Sequence, residues 1–286
     1  MSNTFNSAHP QTRPVWLIIG ASSGIGQEIA RKVQPFATVI AVGRNQSALE
    51  GLAKIGCKTL QLDLTSSDAI IRRAIDDIIR QEGFVDFVVN VAGYLLEGGV
   101  EEHGDMEIQH VFETHVFGPL RVFRAVLPYM REERRGVIAH LAGIGGLQGA
   151  PNAGVFCASK AAAATVIEAF QKEVAPLGIR MCLIQLGHFR TPFLSRGHRR
   201  KVQARITDYN PILEPIRHIF DKFDGAQQGD PIKAANVIVE ALTMDPNNVP
   251  LLLPVGADVP AVELKAHEVR VENMSALRAL TDGTDL

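Results

Sequence analysis

Short runs of apolar and β-branched residues alternate along the chain with longer stretches in which apolar positions recur every three or four residues. The short runs lie at Val15–Ile19, Thr38–Val42, Thr59–Leu62, Phe84–Val89, Val137–Leu141, Arg180–Gln185 and Pro250–Pro254. Their near-continuous hydrophobicity predicts strands covered on both faces. The longer stretches predict helices at Ile25–Val33, Gln46–Ile55, Ser67–Gln81, Asp105–Met130, Phe156–Ala175 and Ile232–Thr243, the last with Asp230 as N-cap and Pro231 in its first turn. This alternation is the sequence form of repeated βαβ units. The expected fold class is therefore α/β, a doubly wound parallel sheet between two helical layers, in a single domain over residues 15–286. Residues 1–14 are polar and read as a disordered tail without the apolar centre of a signal peptide. The rhythm breaks from Thr191 to Gly229, where Pro192, Pro211 and Pro215 fall. An insertion of that length reads as a substrate lid.

The formal net charge is −2 with both signs interspersed, which is not the footprint of a nucleic-acid binder. A small organic molecule is the expected partner. Apolar runs such as Val249–Val255 are too short to cross a bilayer. Cys57, Cys157 and Cys182 are odd in number and sit in apolar or helical stretches, so they read as small packing residues in a reducing cytoplasm. No cluster of His, Cys, Asp or Glu has metal-ligand spacing, and no metal is expected.

Directly after the first strand comes Gly20-Ala21-Ser22-Ser23-Gly24-Ile25-Gly26, and then a helix. Glycines at that junction let a pyrophosphate approach the backbone, and the helix N-terminus attracts its charge. The end of the second strand lacks the acid that would accept the ribose hydroxyls of NAD. It offers Arg44 instead, a guanidinium suited to a 2′-phosphate, so NADP(H) is the expected cofactor, with Ser22 or Ser23 adding a hydroxyl.

Together with Asp63-Leu64 after the third strand and Asn90-Val91-Ala92-Gly93 after the fourth, these residues resemble the short-chain dehydrogenases/reductases from about Val15 to Val255. The resemblance implies a Rossmann fold, with Asp63 and Leu64 against adenine, and Asn90, Ala92 and Gly93 supporting the sheet and the cofactor. It places Lys160 as the active-site lysine, and Gly187 and Thr191 beside the nicotinamide carboxamide, with Leu186 in place of the motif's proline. Small residues at Ala161–Ala164 on a helix that often forms subunit contacts in the family imply a homodimer or homotetramer.

The family's catalytic tyrosine, four residues before the lysine, is here Phe156. A tyrosine there shares a helix face with the lysine, whose ammonium helps the phenol donate a proton. Phe156 has no proton to give. The family's serine, thirteen residues earlier, corresponds to Gly143, and its helical asparagine to His115. A positioned general acid is worth about 10²- to 10⁴-fold, and an oxyanion donor a comparable factor, so ordinary ketone reduction should be slow.

The remaining catalytic candidates are Lys160, His115 and His188. His115 reads either as an acid or base near Lys160 or as a packed histidine, and Pro119 cannot donate to its carbonyl. His188 and Arg190 sit at the expected nicotinamide edge. His140 reads as structural, and Tyr94 as a phenol in the cleft or a packing ring. The run from Arg196 to Lys201 reads as an attractor of anions or as a solvated lid face. Three functions are consistent with this pattern. The leading one is a non-redox catalyst such as a cyclase, isomerase or dehydratase. The others are a reductase of a substrate that needs no tyrosine proton, such as an iminium ion, and a noncatalytic NADP(H)-responsive binding protein.

Overall fold

The computed structural model describes residues 13–195 and 197–284. The expected tail at residues 1–12 and Arg196 of the basic run lie outside the described residues. Residues 13 and 14 are not tail: the Arg13 guanidinium donates to Ala37 O at 3.0 Å, and Pro14 O accepts from Thr38 N at 2.9 Å.

The elements follow in the order β1 (Val15–Ile19), α1 (Gly24–Val33), β2 (Thr38–Gly43), α2 (Glu50–Ala53), β3 (Lys58–Gln61), α3 (Asp68–Glu82), β4 (Phe87–Asn90) and β5 (Leu95–Glu97). After them come α4 (Asp105–Phe112), a π-turn over Glu113–Phe117, α5 (Gly118–Glu133), β6 (Val137–Leu141), α6 (Gly154–Val174), β7 (Arg180–Leu186) and β8 (Arg199–Lys201). The chain ends with α7 (Asn210–Phe223), α8 (Pro231–Leu242), β9 (Leu252–Val255) and α9 (Val259–Thr281).

Among the described residues, seven strands form one parallel sheet in the order β3-β2-β1-β4-β6-β7-β9. This is the doubly wound α/β fold that the alternation predicts. Strand β1 has every residue buried, and its side chains divide by parity. Trp16 and Ile18 enter the core layer beneath α1 and α8, where Trp16 stacks on Phe87 with centroids 4.2 Å apart. Val15, Leu17 and Ile19 enter the other layer, with Ile71 and Ile75 of α3 and Val122 and Phe123 of α5. Helix α8 starts where Asp230 accepts from Ile232 N at 2.8 Å, as its N-cap spacing predicts.

The chain leaves β1 toward β2 and β3, then returns to β4 on β1's other side. That reversal opens a crevice at the C-terminal ends of β1 and β4, the usual binding position in such sheets. The expected single helix Asp105–Met130 is interrupted. Pro119 has no N–H to offer the carbonyl of His115, and Gly118 N bonds instead to Glu113 O, five residues back. The expected lid is also more structured than a loop, because it contains β8 and α7. Strand β8 pairs with β5 in a small parallel sheet.

Candidate active site

A cleft of about 540 Å³ runs along the crevice. At one end lies the glycine-rich turn. Gly20 has φ +87, and a Cβ on it would stand 2.7 Å from Ala92 N, while Gly24 has φ +54 beside Thr191. Any side chain on Gly26 would strike the Gly20 carbonyl. Ser23, at the N-cap of α1, makes no capping bond of its own, so the first amides of the helix stay open to a ligand. This cradle fits a dinucleotide's pyrophosphate. Ser22, Ser23, Ile25, Arg44, Asp63, Leu64, Ala92 and Gly93 line the same cleft, as do Lys160, Gly187 and Thr191.

Asn90 is buried behind the cleft. It donates to His140 Nδ1 at 2.9 Å and accepts from Ala92 N at 3.3 Å, so it holds the turn after β4 that lines the cleft. His140 is structural, as its strand parity implies. Burial, with the Lys160 charge second, pushes its pKa down to about 3.

Lys160 is 2% exposed and donates to Leu141 O at 2.9 Å. Burial lowers its pKa to about 8. The Phe156 ring stands on the cleft wall with its centroid 6.0 Å from the Lys160 ammonium. Gly143 has φ +76 and ψ 165, a combination that belongs almost entirely to glycine.

The cleft reading of His115 is corrected by its burial. The ring is 0% exposed and does not line the main cleft. Its Nε2 accepts from Tyr94 N at 3.1 Å, and its Nδ1 donates to Ser159 Oγ at 2.8 Å, which in turn donates to Phe156 O at 2.7 Å. Both nitrogens are occupied by the protein. Burial, then the Lys160 charge, holds its pKa well below the ordinary value. Arg190 also turns away, donating to Gln227 O at 3.0 Å. Tyr94 does line the cleft, 2% exposed and with its pKa pushed up to about 12 by burial.

His188 does face the cleft, and it is held by a residue that the sequence reading did not single out. Asp258 Oδ2 accepts from His188 N at 3.0 Å and from His188 Nδ1 at 2.8 Å, which leaves Nε2 unencumbered. Asp258 stands at the N-cap of α9, yet its side chain caps nothing there. Its other oxygen fills the space that a Cβ on Gly187 would need and lies 2.7 Å from one on Gly256. The ring's far side meets Phe223 edge-on at 5.2 Å. Asp258 falls beyond the stretch where the motifs lie, and only its place after Gly256 in Val255-Gly256-Ala257-Asp258 could have drawn attention to it.

A family model described as short chain dehydrogenase matches residues 14–201. The chain belongs to the short-chain dehydrogenase/reductase family. It is 35% identical over 193 residues to a 3-ketodihydrosphingosine reductase of Bacteroides thetaiotaomicron, covering 68% of this chain and 70% of that protein. A short-chain dehydrogenase from Streptomyces avermitilis has the same structure with a TM-score of 0.86, at 32% identity over 97% of this chain and all of the other. Two solved structures of lower identity share the fold and were solved with nicotinamide cofactors. One, from Burkholderia phymatum, is in complex with NAD, at TM-score 0.78 and 19% identity over 91% of this chain and 95% of that one. The other, ElxO, has NADP bound, at TM-score 0.71 and 20% identity over 87% of this chain and all of that one. Among the described residues no helix is long and apolar enough to cross a membrane.

Proposed function

We propose that this short-chain dehydrogenase relative binds NADP(H) and carries a small, largely apolar substrate through a non-redox step, an isomerisation, dehydration or cyclisation. The observation that carries the reading is a contrast within one cleft. The cofactor cradle is complete, whereas the proton-donating side has been rebuilt around Phe156 and a Gly143 backbone that only glycine adopts readily. A site that had merely lost two hydroxyls would keep a backbone compatible with serine.

The cofactor, when bound, supplies hydride chemistry and a flat ring at the substrate end. The rest of the work falls to this chain's residues. Arg44 and the Ser22–Ser23 turn hold phosphate, and Lys160 offers its amine to ribose hydroxyls. Phe156, Phe193, Leu194, Phe220, Phe223 and Val262 line the substrate end and exclude water. Holding one reactive conformer in such a pocket is itself a catalytic contribution. His188 is the proton carrier: Asp258 fixes the Nδ1–H tautomer, and Nε2 takes a proton from the substrate and returns it.

The test is incubation of the purified protein and NADPH with apolar metabolite extracts. NADPH is followed by its absorbance and products by mass spectrometry. Isomers or dehydration products should form with NADPH unchanged, and His188→Gln should lower their yield by about 10²-fold or more. Stoichiometric NADPH consumption would overturn this in favour of reduction, the reading favoured by the relative named a reductase. Bound cofactor without any product would leave a binding protein.

The NADP(H) preference rests on Arg44 and is tested by calorimetry. NADP(H) should bind about tenfold or more tighter than NAD(H), and Arg44→Ala should abolish the difference. Equal affinities in the wild type would remove the preference. The same reading includes a cytoplasmic homodimer or homotetramer built on α5 and α6, and a monomeric mass by light scattering would refute the assembly.

A further inference from the structure

Beyond Thr191 the chain doubles back as a strap over the cofactor half of the cleft. The turn Pro192–Leu194 covers the substrate end, and β8 then runs beside β5 with Leu95 opposite Arg199 and Leu96 opposite Arg200. Leu95 N donates to His198 O at 2.7 Å, and Val202 N donates to Glu97 O at 3.0 Å, so the strap is fastened at both ends of this pairing. Strand alternation gives it two faces.

One face is fixed to the protein. Arg199, its side chain only 5% exposed, pairs with Glu97 and, at 2.6 Å, with Asp221 of α7. Arg217 of α7 reaches the same Glu97 at 3.2 Å and Glu102 at 3.2 Å.

The other face carries His198 and Arg200. His198 lines the cleft with Nε2 3.3 Å from Ser23 Oγ of the glycine-rich turn, so the strap touches the phosphate cradle across the opening. Arg200 is exposed, with its guanidinium 4.6 Å from the centroid of Tyr94, a ring that lines the cleft. Burial, and after it the charges of Arg44 and Arg200, lower the pKa of His198. Among the described residues neither Arg44 nor Arg200 has a carboxylate partner, although the neighbouring Arg199 has two. Two uncompensated guanidiniums near an open helix N-terminus form a receptor for several negative charges.

We propose that the strap is half of the cofactor's phosphate site: Arg200 and His198 close over phosphates that Arg44 and Ser22–Ser23 hold from the opposite side, so a 2′-phosphorylated dinucleotide is enclosed and exchanges slowly. The inference rests on the NADP(H) reading and deepens it. A reductase must release its spent cofactor at every turnover. A strap fastened by buried ion pairs suits a cofactor that stays in place, which is what a non-redox reaction permits.

The experiment uses the full chain with NADPH and NADH as probes. Affinity is read by calorimetry, and release by stopped-flow fluorescence on displacement with excess oxidised cofactor. The variants are Arg44→Ala, Arg200→Ala and Lys201→Ala, the last from the opposite face of the strap, each checked for an unchanged melting temperature. Arg200→Ala should speed NADPH release and weaken its binding by about ten- to a hundredfold, as for loss of a charge-assisted hydrogen bond, while Lys201→Ala changes both less than about twofold. Wild-type behaviour of Arg200→Ala, with Arg44→Ala impaired, would overturn the strap's role and leave the NADP(H) reading intact. If the wild type holds NADH as tightly as NADPH, the cofactor reading fails instead. The strap is then judged on NADH: faster release from Arg200→Ala upholds it as a pyrophosphate clamp, and unchanged release overturns it.

Discussion

At Gly143 the backbone takes φ +76 and ψ 165, where a residue with a Cβ is strained by about 1–3 kcal/mol. Space is not the obstacle, since a Cβ there would meet Leu186 O only at an ordinary 3.5 Å. Restoring the family's hydroxyls with Gly143→Ser and Phe156→Tyr should therefore lower stability by about 1–3 kcal/mol and still yield no efficient ketone reduction. Urea melts and an NADPH assay on a ketone panel check both halves; robust reduction by the double variant would mean that the two hydroxyls alone separate this site from its relatives. His115 is the opposite case, a residue whose sequence position suggests chemistry and whose surroundings assign it to packing. Its ring ties Tyr94 N to Ser159 and through it to Phe156 O. His115→Asn should cost about 2 kcal/mol, or roughly 5 °C in Tm, and leave NADP(H) affinity unchanged. A drop in affinity with no change in Tm would return His115 to the cleft.

The elements that order the lid are held by buried charge as well as by the buried side chains of Leu95, Leu96, Val202 and Leu213. Glu97 and Glu102 are 1% and 2% exposed, and both are met by Arg217. Burial works to raise the Glu102 pKa, but the Gly99 and Ile206 amides and the Arg217 guanidinium outweigh it and hold it low. Removing one partner of a buried pair leaves the other uncompensated, typically at 3–5 kcal/mol. Arg217→Met should thus loosen α7, β5 and β8 together, with Arg199 retaining part of the cost on Glu97. Amide exchange should accelerate there and stay slow in β1 and β4; uniform protection would mean that the ion pairs contribute nothing to the lid. This dependence also explains what was legible in the sequence. Strands β1, β2, β4, β6 and β7 were visible because each is a dense apolar run buried on both faces, whereas β3, exposed at both ends, and β9, exposed at alternate positions, lack the two-sided cover expected of them; the expected bounds of all seven differ from the observed ones by three residues or fewer. Strands β5 and β8 are three residues each, and β8 is Arg-Arg-Lys, so no periodicity marks them. Helix α7 hides behind Pro211 and Pro215, and Pro119, which leaves the His115 carbonyl without a donor, does not by itself reveal that the helix breaks into a π-turn there. The glycine-rich turn was readable because Gly20 and Gly24 stand where the chain passes from a strand to a helix through positive φ. Asp258 was not readable, because its role arises only when the turn before α9 meets the end of β7.

At the scale of the whole molecule, the buried titratable groups make stability depend on pH. His115 and His140 are both completely enclosed, and each is held neutral first by burial and then by the Lys160 charge, His140 with a pKa of about 3. In the unfolded chain the same imidazoles protonate near their ordinary value of about 6.5. Below that pH the unfolded state binds protons that the folded state refuses, so the stability present above about 6.5 is lost progressively toward the folded value. His140 costs about 1.4 kcal/mol per pH unit once the unfolded chain titrates, so it alone should remove about 2 kcal/mol between about pH 7 and 5, and His115 acts in the same direction. Carboxylates held low in the fold, such as Glu102, begin to contribute only nearer the ordinary carboxylate range, which separates the two effects. Lys160 adds a second limb. Its folded pKa of about 8 lies below the ordinary value of 10.5, so the unfolded chain holds the extra proton between those values and stability rises with pH across that window, by about 3 kcal/mol in all. Urea melts should trace a curve that climbs from about pH 5 to neutral; above about 8 the Lys160 rise is opposed by the Cys182 thiol and the Tyr94 phenol, whose pKa values burial raises to about 12, so that the unfolded chain releases those protons first. His140→Gln should flatten the acid limb, and Lys160→Met should lose stability more steeply than the wild type above about pH 8 while weakening NADP(H) binding. A wild-type curve level from about pH 7 to 5 would show that these histidines take up protons within the fold, and with it the account of His115 as a neutral, enclosed link between Tyr94 and Phe156 would fail.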